Sequence, residues 1–168
     1  QLGVHMKRAH LRNTLQAPAL ACPAGVDREI RGRFPFALTP SQDAVVKEIA
    51  ADLAKPTPTN RLIQGDVGSG KTIVALYAML LATAAGRQSA LMAPTELLAE
   101  QHHANITKIL AGSGIRVDLL TGSMDPEERA RTLAALADGR TSIVVGTHAL
   151  ITEAVKFQSL ALAVIDEQ

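Results

Sequence analysis

The run Gly65-Asp66-Val67-Gly68-Ser69-Gly70-Lys71-Thr72 has the residue types and spacing of a phosphate cradle. Its glycines let the chain turn sharply enough to point successive amides inward at a β-phosphate. A helix opening at the end of the turn adds its positive end. Lys71 would reach the β- and γ-phosphates as a point charge, and the Thr72 hydroxyl would bind magnesium. Roughly ninety residues further on, Val164-Ile165-Asp166-Glu167 ends an apolar run in two carboxylates. Asp166 would hold magnesium, directly or through water, and Glu167 would polarise the attacking water. An acidic pair after an apolar run says little by itself. Downstream of a phosphate loop, with β-α units between, it points to a P-loop nucleoside triphosphatase that uses ATP and Mg2+.

Other residues bear on the same site. Gln42 can both donate and accept, which suits the edge of adenine, and Phe34 or Phe36 could supply an apolar surface for the base. The same residues read equally well as a solvent-facing Gln at a capped helix start with two core phenylalanines. Thr95 in Ala93-Pro94-Thr95-Glu96, Gly122 and Ser123 after Thr121, and Thr147 and His148 after Gly146 place small polar groups beside exposed amides. Such groups contact phosphates without reading bases, although each alone is an ordinary cap or turn. His102 and His103 are adjacent and diverge on a helix, so with His148 they suggest no zinc site. Arg129 and Arg131, with Glu127 and Glu128, read as a solvated helix face.

The elements that must position these groups follow from pattern. Thr39 caps a helix with Pro40 at its first position and Val45, Val46, Ile49 and Leu53 as its apolar stripe. Arg61-Leu62-Ile63-Gln64 is predicted as a short strand feeding the phosphate loop, and Ile73–Ala85 as a helix ended by Gly86. Then come a strand at Ser89–Ala93, a helix from Glu96 to Leu110, a strand at Arg116–Leu120, and an acidic helix opening at Asp125-Pro126 and ending before Gly139. Thr141–Val145 and Leu160–Ile165 are the last strands. This alternation predicts an α/β fold with a mainly parallel sheet and helices on both faces. The loops after Gln64, Ala93, Leu120, Val145 and Ile165 should then share one ligand edge. Residues 1–33, with Pro18, Pro23 and Gly25, show no period long enough for a full element and read as a linker or the tail of a preceding domain.

Composition agrees. The 168 residues suffice for one domain. The apolar share of 47% with only 2% aromatics suits helices on a buried sheet. Without a membrane-length apolar run or a signal-peptide core after His5, Lys7, Arg8 and His10, the chain is expected to be soluble and intracellular. A lone Cys22 excludes an intrachain disulfide. A formal charge of +1 argues against strong autonomous DNA binding, though not against DNA as the track of a larger protein.

Phe36-Ala37-Leu38-Thr39-Pro40-Ser41-Gln42, Leu62 through Thr72, and Met92-Ala93-Pro94-Thr95-Glu96-Leu97-Leu98-Ala99-Glu100-Gln101-His102 closely resemble the bacterial RecG helicases, superfamily 2 motors. Leu120-Thr121-Gly122-Ser123, Val145 through Ile151 and Val164-Ile165-Asp166-Glu167-Gln168 agree in order and spacing, so the resemblance spans roughly residues 34–168. Transcription-repair coupling factor and PriA share the architecture, and the former shares Gly65-Asp66-Val67-Gly68. The run Ala93–His102 and Thr147-His148-Ala149-Leu150 look more like RecG.

The resemblance implies a RecA-like P-loop domain at 34–168, C-terminally incomplete. It follows a DNA-binding wedge domain whose tail is 1–33, and precedes a second RecA-like domain carrying arginine fingers. It implies that Gln42 recognises adenine, and that Gly65, Asp66, Val67, Gly68, Ser69, Gly70, Lys71, Thr72, Asp166 and Glu167 form the nucleotide and magnesium site. Thr95, Gly122, Ser123, Thr147 and His148 would lie at or near the DNA track. Gln168 would belong to an Asp-Glu-Gln-His motif linking hydrolysis to movement. The activity implied is ATP-driven remodelling of branched or duplex DNA, such as stalled forks and Holliday junctions, in the bacterial cytoplasm at the nucleoid. Two other classes fit the same loop: a nucleotide-responsive interaction module, and a metabolic kinase, for which the loops offer no evident acceptor pocket.

Overall fold

A computed structural model of the chain describes residues 16–66 and 68–166. The candidate residues Val67, Glu167 and Gln168 lie outside the described residues, as does the basic opening segment. Along the chain the elements are α1 (Ala24–Gly32), α2 (Pro40–Leu53), α3 (Lys71–Ala84), β1 (Gln88–Met92), α4 (Glu96–Ile109), β2 (Val117–Leu120), α5 (Pro126–Ala137), β3 (Ile143–Gly146), a 3-10 turn (His148–Ile151) and β4 (Leu160–Ile165).

Caps set the helix starts. Thr39 Oγ1 accepts the Gln42 amide while Gln42 Oε1 accepts the Thr39 amide, a reciprocal pair that fixes the first turn of α2. Thr95 accepts the Leu98 amide at the head of α4, and Asp125 accepts the Glu127 and Glu128 amides ahead of α5. α3 is apolar almost all round, with eight buried residues from Val74 to Ala82, so it must be enclosed.

The four strands form one parallel sheet in the order β2-β3-β1-β4. Alternation splits their side chains between two cores. Leu91, Ile143, Val145, Leu162 and Val164 face α3 and α4, whereas Ala90, Leu120 and Val144 face α5 and the 3-10 turn. Helices therefore cover both faces, as the alternation predicts. Met92 is level with Gly146 and Ile165, and Gly146 with Leu120, so the loops after all four strands leave from one edge.

Two expectations fail here. Arg61–Gln64 is not a strand: Leu62 is 81% exposed, and the segment lies outside the sheet. A strand exists only through its ladder, and Arg61–Gln64 makes none: neither β2 nor β4 pairs with it along its outer edge. The segment is tethered to α2 instead, where Arg61 meets Glu48 at 2.7 Å and Asp52 at 2.5 Å. Second, the supposedly unstructured opening contains helix α1. Tertiary contacts hold it: Tyr77 on α3 donates to Asp27 Oδ1, Arg31 clasps Asp27 and reaches Asp43 of α2 at 2.7 Å, and Cys22 Sγ lies 3.3 Å from the Tyr77 hydroxyl. Burial works to raise the Asp27 carboxyl, but hydrogen bonds from Tyr77 and Arg31 outweigh it and hold it below the usual range.

Gln88 is the polar fastener of the sheet. It is 3% exposed; its Nε2 donates to the Leu136 and Thr141 carbonyls and its Oε1 accepts the Ser159 amide. Gln88→Leu keeps the volume but strands an amide and weakens two carbonyls in a dry site. It should lower stability by roughly 2–4 kcal/mol, read as a drop in the urea midpoint at unchanged m-value.

Candidate nucleotide site and polar loop edge

The phosphate loop is built by glycine geometry. Gly68 and Gly70 have φ of 82° and 79°, left-handed values that side chains resist, and the Ser69 amide closes a turn onto the Asp66 carbonyl. Gly70 is also the N-cap of α3, which has no side-chain cap and no acidic residue in its first turn. The first amides of a long buried helix thus lack a protein anion, the arrangement an outside phosphate would complete. Lys71 Nζ donates to the Gly65 and Asp66 carbonyls at 2.5 and 2.9 Å, so the lysine closes the loop on itself.

Gln42 touches the same loop, its Nε2 donating to the Ser69 carbonyl at 3.1 Å. With Oε1 bound to the Thr39 amide, both ends of its amide are engaged, and a Cβ on Gly70 would overlap its nitrogen. The two phenylalanines divide the readings open to them. Phe34 is buried in the main core, while Phe36 is 50% exposed and stacks on it with ring centroids 6.4 Å apart. Phe36 therefore presents an apolar face to solvent, and Phe34 supports it.

Asp166 leaves the carboxyl end of β4, its amide still bonded to the Met92 carbonyl. Its Oδ2 accepts from His102 Nε2 of α4 at 2.8 Å, and its Oδ1 has no hydrogen-bond partner among the described residues. Thr72, Ile73 and Leu76 of α3 face Leu98, Gln101 and His102 of α4 across a groove of about 730 Å³. Thr72 and His102 both line this groove, and His102 in turn holds the Asp166 carboxylate. The Thr72 hydroxyl and the Asp166 carboxylate are hard oxygen donors, which suit Mg2+ better than a soft metal.

The polar loops gather at the other end of α4. Glu96 Oε1 accepts the Gly122 and Ser123 amides at 2.9 and 3.1 Å, and Oε2 accepts the Ser123 hydroxyl at 2.6 Å. The Ser123 hydroxyl, then the Ser123 amide and more weakly the Gly122 amide, hold the Glu96 carboxyl below its ordinary value. Thr95, Gly122, Ser123 and His148 are exposed, while Thr147 is 9% exposed and caps the 3-10 turn with its backbone. Arg129 does not join the solvated face expected of it. It is half-buried and donates to the Thr121 carbonyl at 3.1 Å, leaving Arg131 and Glu127 as the exposed pair.

Glu96 and His102 were missed as site residues. Local pattern carries no signal for them, since their partners lie 26–27 and 64 residues away. His103 is placed by its Nε2, 3.2 Å from the Val117 carbonyl, and packs α4 on β2.

A model of the DEAD/DEAH box helicase family matches residues 39–168. The chain is 48% identical over 172 residues to the ATP-dependent DNA helicase RecG of Synechocystis sp., covering 100% of this chain and 20% of that protein. It is 40% identical over 168 residues to RecG of Aquifex aeolicus, covering 100% of the chain and 21% of the relative. A solved structure of RecG bound to a three-way DNA junction superposes with a TM-score of 0.89 at 40% identity, over 96% of this chain and 22% of that one. The chain thus spans about a fifth of the length of these relatives.

Proposed function

Because the chain belongs to the DEAD/DEAH box helicase family, we propose that it is the ATP-binding part of a RecG-type motor that drives branched DNA. The observation that carries this reading is the groove between the first turn of α3 and α4, whose His102 holds the Asp166 carboxylate at the end of β4, with the polar loops on the same sheet edge.

In this reading the α3 amides and Lys71 take the β- and γ-phosphates, Lys71 exchanging the Gly65 and Asp66 carbonyls for phosphate oxygens. Gln42 reads adenine by giving up Ser69 or Thr39, with Phe36 against the base. Thr72 and Asp166 would hold Mg2+, which when bound neutralises the charge developing on the transferred phosphoryl group. Glu167 is assigned the orientation of the attacking water. Gln168 is assigned the link between hydrolysis and movement. Thr95, Gly122, Ser123, Thr147 and His148 lie along the DNA, contacting phosphates and sugars without selecting sequence. A three-way junction as the track is supported by the RecG relative seen on one.

Residues 1–33 would end a preceding DNA-binding domain, and a second RecA-like domain of the same protein would complete the ATP site. Among the described residues no helix is long and apolar enough to cross a membrane, and no three His, Cys, Asp or Glu gather as a metal cluster. An enzyme working in the bacterial cytoplasm is the reading consistent with a chromosomal substrate.

The test is steady-state ATP hydrolysis by the full-length protein with and without a three-way DNA junction. Stimulation of tenfold or more is expected of a DNA-driven motor. A rate indifferent to DNA would replace this reading with a nucleotide-responsive module.

A further inference from the structure

Helix α4 touches both halves of the reading above. At its head Glu96 grips the Gly122 and Ser123 amides and the Ser123 hydroxyl. Six residues further, about 9 Å along the axis, His102 holds Asp166. Six residues turn a helix by about 240°, so the two side chains leave different faces, one toward the loop after β2 and the other toward the end of β4. Between and beyond them Ala99 and Ile106 are fully buried against the sheet, and His103 is fastened to the Val117 carbonyl. The connection is therefore a short rigid rod with a polar grip at each end, and no soft loop intervenes.

We propose that α4 couples the DNA track to the nucleotide site, with His102 as the positioning residue that orients the Asp166 carboxylate and Glu96 as the grip on the loop at the DNA edge. The inference rests on the proposed function, because it presumes that Gly122 and Ser123 meet DNA and that Asp166 serves Mg2+. The His102 side chain is only 14% exposed, so its hydrogen bond to Asp166 Oδ2 is largely shielded from competing water. That bond occupies one carboxylate oxygen and leaves Oδ1 for the metal, so the direction of Oδ1 follows the helix. Phosphates engaging the loop at Gly122–Ser123 act on Glu96, shift or stiffen the head of α4, and thereby alter where Asp166 is held. The coupling is a binding free energy, so it is reciprocal: DNA must change nucleotide affinity by the same factor by which nucleotide changes DNA affinity.

The experiment measures, on the full-length protein, the affinity of a fluorescent ATP analogue with Mg2+ in the absence and presence of a three-way DNA junction. The junction's affinity is measured with and without the analogue. The wild type is expected to show a coupling factor of about fivefold or more. His102→Phe, which keeps the ring volume without the donor, should bring the factor close to one. His102→Gln, whose amide can still donate to Asp166, should restore most of it. Glu96→Ala cuts the other end at a half-exposed position outside the hydrophobic core, and should also abolish coupling. Coupling that survives intact in His102→Phe or in Glu96→Ala overturns the inference, as does failure of the folded His102→Gln protein to recover it. A wild type whose hydrolysis ignores DNA would instead sink the proposed function, so the two failures are distinguishable.

Discussion

Full-length protein carrying Lys71→Ala is expected to hydrolyse ATP about two to three orders of magnitude more slowly than wild type, with or without DNA. The lysine is the only cation the phosphate loop itself contributes. Removing one preorganised charge or donor from a phosphoryl-transfer site has this size of effect because it acts where charge develops in the transition state. The fold should be indifferent to the change. Lys71 Nζ makes its two hydrogen bonds to the Gly65 and Asp66 carbonyls at exposed positions, so alanine strands nothing in a dry core. Thermal unfolding without nucleotide should therefore match the wild type, while the stabilisation conferred by saturating ATP and Mg2+ should largely vanish. Lys71→Arg is not a conservative control. The guanidinium is larger and planar, and the lysine works here as a compact point charge between loop carbonyls. Hydrolysis by Lys71→Ala within threefold of wild type would remove the nucleotide site from this loop.

The phosphate loop was legible because all its determinants are contiguous. Left-handed glycines, a lysine and a hydroxyl must follow one another for the turn to form, and Gly68 and Gly70 adopt the φ values that the pattern demands. The helix starts at Thr39, Thr95 and Asp125 were legible for the same reason, as each cap acts on an amide two or three residues away. Features that depend on partners distant in sequence were not. Arg61–Gln64 has the composition of a strand, yet strand formation depends on a partner across the ladder, and no strand of the sheet pairs with it. α1 begins after Pro23 without a side-chain cap and is held by Tyr77 and Asp43, which its own nine residues do not reveal. Of the candidate site, the loop, Asp166 and the polar turns could be named in advance. The contacts that join them, His102 to Asp166 and Glu96 to Gly122 and Ser123, required the sheet order to bring α4 between them.

Gly146→Ala should be the most damaging one-carbon change in the sheet. Gly146 ends β3, level with Leu120 of β2 on one side and Met92 of β1 on the other. A Cβ there would overlap the Leu120 carbonyl oxygen and stand 2.9 Å from Leu150 Cγ. A side chain can rotate away from such a contact, but a carbonyl in a paired strand cannot move without parting the strands. The Thr147 amide donates to that same carbonyl at 3.4 Å, so moving it also releases the start of the 3-10 turn. Overpacking of this kind costs about 3 kcal/mol. Measured by hydrogen exchange in the full-length protein, amides of β2 and β3 should then lose protection by about 100-fold. The carboxyl ends of these strands carry Gly122, Ser123, Thr147 and His148, so the affinity for junction DNA should fall with the protection, while nucleotide binding at the α3 end changes less. Gly122→Ala is the matched control: its Cβ would meet only the flexible Glu96 carboxylate at 3.3 Å, and its protection should stay near wild type. Equal protection in Gly146→Ala and Gly122→Ala would show that the close approach of β3 to the Leu120 carbonyl does not hold the loop edge together.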